Sequence, residues 1–558
     1  MRDFGHHLAH STKRDLAHST KRAPASTSEQ HPRSPTLSRA FRATGLLVVI
    51  SVALAACGGD VPLPFAPSSG PSAAAPRQLT VTVTEQGSNT PLVGANVTAA
   101  GSTVTTGANG TAAITAPVGA ALSVEAPGHD PASGSVPGDG DVALALRANV
   151  VSGTITDGSG QPIEGVRVFV EGAAEWVRSD RRGRYALPNV PEAATLLFKR
   201  AGYRLAELAT SGQPAADVSL EPFEARALYA PGAVFEGAGR LDALLRLIDR
   251  TEANAMVIDV KETGGWLYYT TDLPEAKESG ADSHPIFDLE ELLPALKERG
   301  IYTIARMVVM KDNTVGASRP ELAVRNAATG QPWKDFGGGI WLDPYNPGVA
   351  EYIAAIAGDL ADKGFDEVQL DYVRFFSDGD YAVADTNLPN TQSFRLPAIR
   401  RLFRVVSERL ATTRTFFSAD CFPISFIAPD DQGIGQRPEV IMPYVDYFSP
   451  MVYPSHYGPY TFGFANPNEH PYEIINETLK LMNREAKGLP MRIRPWIQDF
   501  GYGEFRAYTA ADIRDEMRAL RDNDALGWMI WNARAFFTES ALGPPRDGED
   551  AGITTLTP

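Results

Sequence analysis

Hydrophobic positions in the C-terminal half of the chain fall into short apolar runs separated by longer amphipathic stretches. Eight runs have the length of a strand, and most are followed by a stretch with helical spacing. They cover residues 227–230, 255–260, 301–309, 368–373, 415–420, 447–453, 492–499 and 527–532. Eight strand–helix units within residues 223–542 predict an α/β domain of the (β/α)8, or TIM-barrel, class. A doubly wound sheet is the alternative, but no glycine-rich phosphate loop follows any of the strands.

The N-terminal half has shorter strands and closely spaced turn signals, which are typical of antiparallel β-sandwiches. Residues 79–148 and 149–222 share one plan: a Thr- and Val-rich strand, a polar turn, a proline and then a glycine. In the second copy these marks are Asp157, Pro162 and Gly165. This copy resembles the carboxypeptidase regulatory-like, transthyretin-like family, which implies a spacer or a binding module. We therefore expect a multidomain chain with two Ig- or transthyretin-like β-sandwich modules before the barrel.

The residues before these modules have the pattern of a secretory signal peptide. An apolar run at residues 46–56 follows basic residues and is too short to span a bilayer comfortably. It ends at Cys57 in a Leu-Ala-Ala-Cys pattern, which resembles a bacterial lipobox and implies that Cys57 carries a lipid. We expect a leader over residues 1–57, a flexible linker over 58–78 and a tail over 543–558. The protein is then exported and anchored at a bacterial membrane, on the periplasmic face or the cell surface.

The net charge and the number of cysteines limit which partners and which stabilising interactions we expect. The 558-residue chain carries a formal net charge of −16, which argues against nucleic acid as a partner. Its two cysteines are Cys57 and Cys421, so lipidation of Cys57 leaves no pair for an intrachain disulfide. We therefore expect packed hydrophobic cores to supply the stability.

Polar residues cluster near the C-terminal ends of the predicted barrel strands, the end at which barrel enzymes hold their active sites. They are Asp259, Arg306, Asp371, Asp420, Tyr453, Gln498, Asp499 and Asn532. Asp371 most needs an explanation, because it lies in the apolar run 368–373 and an isolated buried carboxylate is costly. So many polar residues at one end of a barrel predict a functional site there.

The residue types at this end favour carboxylate chemistry. Paired carboxylates beside tyrosines and tryptophans suit hydrolysis of a glycosidic bond, in which one acid protonates the leaving oxygen and the other attacks or activates water. The sequence contains no Gly-x-Ser-x-Gly nucleophile elbow, no metal-ligand spacing and no motif that implies a cofactor. Cys421 follows Asp420 and should point to the opposite side of its strand, where it packs.

Several runs together resemble one family. They are residues 254–261, 304–312, 319–324, 341–346, 364–375, 444–457, 494–500 and 527–533. They resemble the glycoside hydrolase family defined by a domain formerly of unknown function, and the fourth strand is similar to that of alpha-amylase-like barrels. By position, the resemblance implies that Asp371 is the nucleophile and Asp420 the acid. The strand-5 acid of such barrels is usually Glu, so the shorter Asp420 leaves Asp499 as an alternative partner.

The sequence thus predicts a cell-envelope-anchored glycoside hydrolase that cleaves O-glycosyl bonds of a polysaccharide. Configuration is retained if the two carboxyl groups lie about 5–5.5 Å apart. The candidate substrate-binding residues are Asp259, Arg306, Arg374, Tyr453, His456, Trp496, Gln498 and Asn532. Two structural alternatives stay open: an ion pair between Arg306 and Asp371, and pairing of Asp259 with Lys261. The alternative function is a non-catalytic carbohydrate-binding or envelope scaffold lipoprotein.

Overall fold

The computed structural model describes residues 75–211, 215–503 and 506–545, and the backbone of residues 554–556. The predicted leader, the lipidation site Cys57 and most of the predicted linker lie outside these residues. The described chain divides into two units: one holds residues up to 125 together with 131–145, and the other holds 126–130 and residues from 146 on. Within the described ranges, no helix is long and apolar enough to cross a membrane.

The first unit is a β-rich module with two sheets. Its strands are β1 (Pro76–Glu85), β2 (Asn96–Ala99), β3 (Ser102–Thr105), β4 (Thr111–Pro117), β5 (Ala121–Glu125), β6 (Ala132–Ser135) and β7 (Val142–Leu146). The sheets have the orders β4-β1-β7 and β3-β2-β5-β6. Leu79, Val81 and Val83 are buried while the threonines between them lie nearer the surface, as the period of two along a strand requires.

The second unit begins with another β-rich module. Its strands are β8 (Val151–Asp157), β9 (Arg167–Val170), β10 (Trp176–Arg178), β11 (Arg184–Leu187), β12 (Ala193–Lys199), β13 (Ala206–Ser211) and β14 (Val218–Leu220). One sheet has the order β11-β8-β14 and the other includes β10-β9-β12-β13. Ile155, Val168 and Phe198 lie in the core between the sheets. The N-terminal β modules predicted from the turn signals are therefore confirmed.

The rest of the second unit is a parallel barrel, which confirms the predicted fold class. The strands are β15 (Arg226–Ala230), β16 (Ala255–Lys261), β17 (Tyr302–Val308), β18 (Arg325–Asn326), β19 (Glu367–Asp371), β20 (Ala384–Asp385), β21 (Phe416–Cys421), β22 (Tyr447–Pro450), β23 (Arg492–Ile493), β24 (Trp496–Gln498) and β25 (Trp528–Trp531). Nine of these pair in one continuous parallel sheet. The other two, β18 and β20, form a small antiparallel pair that joins the loops after β17 and β19.

The seventh strand of the barrel is broken, unlike the continuous run 492–499 expected from the sequence. The piece β23 pairs with β22 and the piece β24 pairs with β25, with Arg494 and Pro495 between them. Pro495 has no N–H to donate to a strand ladder. The barrel still closes here, because the N–H of Arg494 donates to Phe448 O at 2.9 Å and that of Met529 donates to Pro495 O at 2.9 Å.

Helices follow most of the barrel strands. They are α1 (Gly232–Glu236), α2 (Arg240–Arg250), α3 (Pro274–Ser279), α4 (Leu289–Lys297), α5 (Asn313–Ser318), α6 (Pro347–Asp362), α7 (Gln392–Arg409), α8 (Ile424–Ile427), α9 (Pro438–Ile441), α10 (Pro471–Glu485) and α11 (Ala510–Asp522). A last strand, β26 (Thr554–Leu556), runs parallel to β13 of the second module. Part of the predicted C-terminal tail is therefore a strand.

Strand alternation in the barrel produces two hydrophobic cores. Met256 and Ile258 of β16 face the surrounding helices and belong to the large outer core. Ala255 and Val257 of the same strand belong to the cluster that fills the lumen. That cluster also contains Phe223, just after the second module, together with residues of the module itself. The second module therefore packs against the barrel at the end where the strands begin.

A buried ion pair lies in the lower part of the lumen. Glu367 at the start of β19 accepts a hydrogen bond from Arg494, and both side chains have no exposed surface. Ser418 Oγ also donates to Glu367, and Tyr302 OH donates to it at 3.1 Å. The Arg494 guanidinium lies 4.3 Å from the ring centroid of Tyr447. This pair therefore links the broken seventh strand to four other strands of the barrel.

Replacing Arg494 with Met should lower the free energy of unfolding by about 3–5 kcal/mol, because the Glu367 carboxylate stays buried without its counter-ion. Adding Glu367→Gln to this variant should recover part of the loss. Urea unfolding followed by tryptophan fluorescence measures both effects. Arg518→Met is the matched control: Arg518 pairs with Asp515 on an exposed helix face, and its loss should cost less than about 0.5 kcal/mol. Equal unfolding midpoints for wild type and Arg494→Met would contradict a structural role for the pair.

Candidate active site

The centre of the barrel mouth is the guanidinium of Arg306, near the end of β17. Its Nη1 donates to Asp259 Oδ1 at 2.5 Å and its Nη2 donates to Asp371 Oδ2 at 2.5 Å. Its Nε lies 3.8 Å from Asp420 Oδ2. Asp259 is directly opposite Arg306 in the β16–β17 register, Asp371 is the last residue of β19, and Asp420 is the last but one of β21. Three carboxylates that the sequence analysis placed at strand ends therefore lie around one guanidinium. That guanidinium belongs to Arg306, which was also a predicted site residue.

A fourth carboxylate, which the sequence analysis did not single out, also faces Arg306. Glu262 Oε1 lies 3.7 Å from Arg306 Nη1, and the Glu262 side chain keeps 34% of its surface exposed. Burial raises the pKa of Asp259 well above its usual range. Burial also opposes ionisation of Glu262, but its hydrogen bond with Asp259 and the charge of Arg306 outweigh burial and lower its pKa. Glu262 directly follows β16, and its position at a strand end was the available signal.

Asp371 occupies a strained turn at the end of β19. The next residue, Tyr372, has a φ of 54°, which is uncommon for a residue with a bulky side chain. This conformation brings the N–H of Tyr372 within 2.6 Å of Asp371 Oδ1, to which it donates. The Asp371 side chain keeps 10% of its surface exposed. The carboxylate is thus fixed by Arg306 on one oxygen and by the backbone on the other.

Asp420 is more deeply buried than Asp371, with 1% of its side-chain surface exposed against 10%. Trp496 Nε1 donates to its Oδ1 at 2.7 Å. Burial and then the negative charge of Asp371 raise the pKa of Asp420 well above its usual range, against the opposing charge of Arg306. Its Oδ2 makes no hydrogen bond within the described ranges. Asp420 therefore favours its protonated form, and Oδ2 is the oxygen that can carry the proton.

Three aromatic side chains support the Arg306 cluster from the lumen side. Tyr229 OH donates to Asp259 Oδ2. The rings of Tyr229 and Trp531 stack with centroids 4.1 Å apart, and the Trp496 ring meets Trp531 edge-on at 5.5 Å. The Arg306 guanidinium lies 5.7 Å from the Tyr229 centroid and 5.2 Å from that of Trp531. This packing holds Arg306 in place through cation–π contact as well as ion pairing.

Tyr453 and His456 lie on the loop after β22, because that strand ends at Pro450, earlier than the sequence predicted. Burial and then the charges of Asp420 and Asp371 raise the pKa of Tyr453 well above its usual range. Its hydroxyl makes no hydrogen bond to another described residue. His456 Nδ1 contacts Ser455 Oγ at 2.9 Å, and burial lowers the pKa of His456 to about 4.

Asp499, predicted as an alternative partner of Asp371, binds a loop instead of Arg306. Its carboxylate accepts hydrogen bonds from Thr538 N at 2.7 Å and from Thr538 Oγ1 at 2.8 Å. Asn532 Nδ2 donates to Asp499 O at 2.6 Å and to Phe536 O at 2.7 Å. Asp499 and Asn532, both predicted site residues, therefore stabilise the loop that follows β25 through hydrogen bonds.

Other predicted substrate contacts are also used within the protein. Gln498 Oε1 accepts from Ser455 Oγ at 2.9 Å and so holds the loop after β22. Arg374 donates to Phe375 O at 3.1 Å and to Ser377 Oγ at 2.9 Å. Its guanidinium lies between aromatic rings, 4.9 Å from the centroid of Trp341. The structure does not bring Gln498 or Arg374 into direct contact with the carboxylate cluster.

Of the two ion pairs left open by the sequence analysis, the Asp259–Lys261 pair is absent and the Arg306–Asp371 pair is present. Lys261 does not pair with Asp259; it pairs with Asp312 at 2.9 Å, and both side chains are completely buried. The Arg306–Asp371 ion pair does form. Among the described residues, no group of three or more His, Cys, Asp or Glu side chains could hold a metal ion.

Exposed aromatic side chains occur in segments that follow the barrel strands. They lie in the loops or first helical turns that follow β16, β17, β19, β22 and β25, and they are Trp266, Phe336, Tyr381, Phe394, Tyr460 and Phe536. All these segments leave the barrel at the C-terminal ends of its strands. The mouth thus combines a buried carboxylate cluster with an aromatic rim, an arrangement suited to sugar rings.

The fold and this site define a glycoside-hydrolase type of barrel. Residues 227–537 match the family described as "Putative glycosyl hydrolase domain", and the chain belongs to that family. Residues 150–221 match the carboxypeptidase regulatory-like domain. Both resemblances inferred from the sequence are thereby confirmed. No curated protein matches the chain.

Solved structures also resemble the chain. A hypothetical protein from Ruminiclostridium thermocellum is 31% identical, with 35% of this chain and 96% of that chain covered and a TM-score of 0.31. The glycoside hydrolase domain of PgaB (BpsB) from Bordetella bronchiseptica is 15% identical, with 58% and 99% covered and a TM-score of 0.40. A chitinase from Chromobacterium violaceum is 14% identical, with 59% and 97% covered and a TM-score of 0.32.

His456 should make the protein less stable in mild acid. Its pKa is about 4 in the folded state and 6.5 as a free side chain, so the unfolded chain binds more protons between these values and stability falls as pH drops through this window. His456→Gln should therefore show a smaller drop in melting temperature between pH 7 and pH 5 than the wild type. His284→Gln, which removes an exposed histidine, is the matched control. An unchanged drop in His456→Gln would contradict the buried, neutral state of this ring.

Proposed function

We propose that the barrel hydrolyses O-glycosyl bonds of a polysaccharide with retention of configuration, using Asp371 as nucleophile and Asp420 as acid and base. The observation that carries this proposal is the arrangement at Arg306. One guanidinium contacts both carboxyl groups, and burial together with the charge of Asp371 favours the protonated form of Asp420. A carboxylate held near a protonated carboxylic acid is the pairing that a retaining glycosidase needs.

The proposed reaction has two steps. Asp371 attacks the anomeric carbon while Asp420 gives its proton to the glycosidic oxygen, so the leaving sugar departs as an alcohol and a glycosyl ester forms on Asp371. Asp420, now ionised, then takes a proton from water as that water attacks the anomeric carbon and releases Asp371. Arg306 keeps Asp371 oriented, and Trp496 orients Asp420 through its indole N–H.

The aromatic rim supports a polymer as the substrate. The exposed rings follow five different strands of the barrel, so they present several separate apolar surfaces around one mouth. Sugar rings place their apolar faces against such side chains. A substrate that reaches several of these positions at once extends beyond a single sugar.

A non-catalytic carbohydrate-binding role is the second candidate, and one observation favours it. Both oxygens of Asp371 accept hydrogen bonds, one from Arg306 and one from Tyr372 N. A carboxylate with these bonds is a weaker nucleophile unless substrate binding displaces one of them. Binding of glycans without turnover would favour this second role.

Asp371→Asn should abolish turnover, with a loss of at least about 10³-fold, while glycan binding remains. The assay is release of reducing ends from a panel of polysaccharides, followed by proton NMR of the first product anomer. Asp420→Asn should also be impaired, because it removes the proton donor. Asp499→Asn should lose less than about tenfold, because its carboxylate binds Thr538 rather than the reacting sugar. An inverted product anomer, or an inactive Asp499→Asn beside an active Asp420→Asn, would overturn these assignments.

The lipobox-like pattern at Cys57 further supports a protein that is exported and anchored to a membrane through a lipid. Cys57→Ser should move the full-length protein from the membrane fraction to the soluble fraction and abolish metabolic labelling with palmitate. Cys421→Ser is the matched control, because Cys421 is buried in the barrel, and it should leave labelling unchanged. Equal labelling of the wild type and Cys57→Ser would contradict the anchor.

A further inference from the structure

A cavity of about 480 Å³ lies between the second β module and the barrel. The module contributes residues of β9, β10 and β12, and the barrel contributes the end of α7 and the segments just before β21, β22 and β23. These barrel segments enter the N-terminal ends of the strands. The cavity is therefore at the opposite end of the barrel from the Arg306 cluster, and nothing in the proposed reaction uses it.

The lining of this cavity is strongly cationic although the chain as a whole carries a net charge of −16. Its charged side chains are Arg167, Arg178, Lys199, Arg200, Arg404, Glu408 and Asp446. Arg404 pairs with Glu408 at 2.9 Å. Asp446 is then the one other acid in the lining that could neutralise the four cations of the module. Its Oδ1 lies 3.8 Å from Arg167 Nη2.

These cations repel one another where they lie. Lys199 is completely buried, and its Nζ donates to Leu410 O, Thr413 O and Thr415 O at 2.8–3.0 Å. Burial and then the charge of Arg167 lower the pKa of Lys199 to about 7. Burial and then the charge of Arg167 also lower the pKa of Arg178. An anion in the cavity would relieve this repulsion.

Two of the arginines have donors available and fixed directions. The guanidiniums of Arg167 and Arg178 lie 5.4 and 5.3 Å from the ring centroid of Trp176. Arg167 Nε is buried without a hydrogen-bond partner in the described structure. The only hydrogen bond given by the Arg178 side chain to another described residue runs from Nη1 to Gly165 O at 3.1 Å. Planar guanidiniums held in this way suit the oxygens of a carboxylate or phosphate.

We propose that this cavity binds a uronate of an acidic glycan through the carboxylate of the sugar. The volume of the cavity exceeds that needed for a single oxyanion and falls in the usual range for small-ligand sites, about 300–1,000 Å³. Trp176, which is 40% exposed, adds apolar surface beside the cations. The second module then serves as a glycan-binding element that holds an acidic chain at a distance from the barrel mouth.

The test is calorimetric titration of the full chain at low ionic strength with trigalacturonate, and with maltotriose as the neutral counterpart. Trigalacturonate should bind saturably, and maltotriose should not compete for the same site. Arg178→Gln and Arg404→Gln, one from each wall, should each weaken binding about fivefold or more. Arg181→Gln is the matched control on the same module, because the Arg181 side chain is 90% exposed and outside the lining.

Melting curves of each variant show whether the fold survives, and either wall variant alone suffices to test the site. Equal binding by Arg178→Gln, Arg404→Gln and Arg181→Gln would overturn the proposal. Two further arms identify other sources of the anion. Saturable binding of inorganic phosphate without any binding of trigalacturonate would overturn the sugar assignment. Arg178-dependent binding of phosphatidylglycerol vesicles without trigalacturonate binding would assign the site to a lipid headgroup instead.

Discussion

The barrel mouth depends on one buried cation. Arg306 lies among Asp259, Glu262, Asp371 and Asp420, and it contacts each of them within 4 Å. Without this charge, four carboxyl groups could not stay together in a low-dielectric site. Removing one partner of such a network costs far more than a surface ion pair does. The aromatic rings beneath Arg306 fix the position of the guanidinium, so the geometry of the carboxylates follows from the packing of the lumen.

The same environment separates the roles of the carboxyl groups. Asp259 is enclosed by Tyr229 and Arg306 and has no exposed surface, so it supports the cluster. Glu262 and Asp371 keep part of their surface exposed, while Asp420 is buried beside Trp496. Burial and neighbouring charge together raise the pKa of Asp420, whereas the hydrogen bond with Asp259 and the charge of Arg306 lower the pKa of Glu262. A general acid next to a nucleophile needs such a difference in pKa.

The two ends of the barrel carry opposite charge. Carboxylates dominate the mouth, and arginines with Lys199 dominate the cavity where the second module meets the strand beginnings. Lys199 contributes to this contact by donating to three backbone carbonyls in the segment that precedes β21. The module is therefore part of the same unit as the barrel.

The sequence alone determined the order of the elements and the place of the site. Apolar runs at regular spacing specify parallel strands, and polar residues at their ends meet at one face because parallel strands end at the same edge of a barrel. Periodicity did not predict that the seventh strand divides at Arg494 and Pro495, because the break depends on the neighbouring strand with which each piece pairs. The sixth strand was predicted to reach Tyr453 because apolar residues continue beyond Pro450, where the strand ends.

Only the tertiary structure decided which polar residues act together. Asp420 and Asp499 occupy similar strand-end positions in the sequence, yet one faces Arg306 and the other faces Thr538. Glu262, one residue beyond β16, joins the cluster, and Lys261 turns to Asp312 instead of Asp259. These partnerships depend on side-chain direction and on contacts between residues far apart along the chain. Strand periodicity determines the face of the sheet on which a residue lies. Packing around Arg306 determines which charged group each carboxylate contacts and the direction in which its pKa shifts.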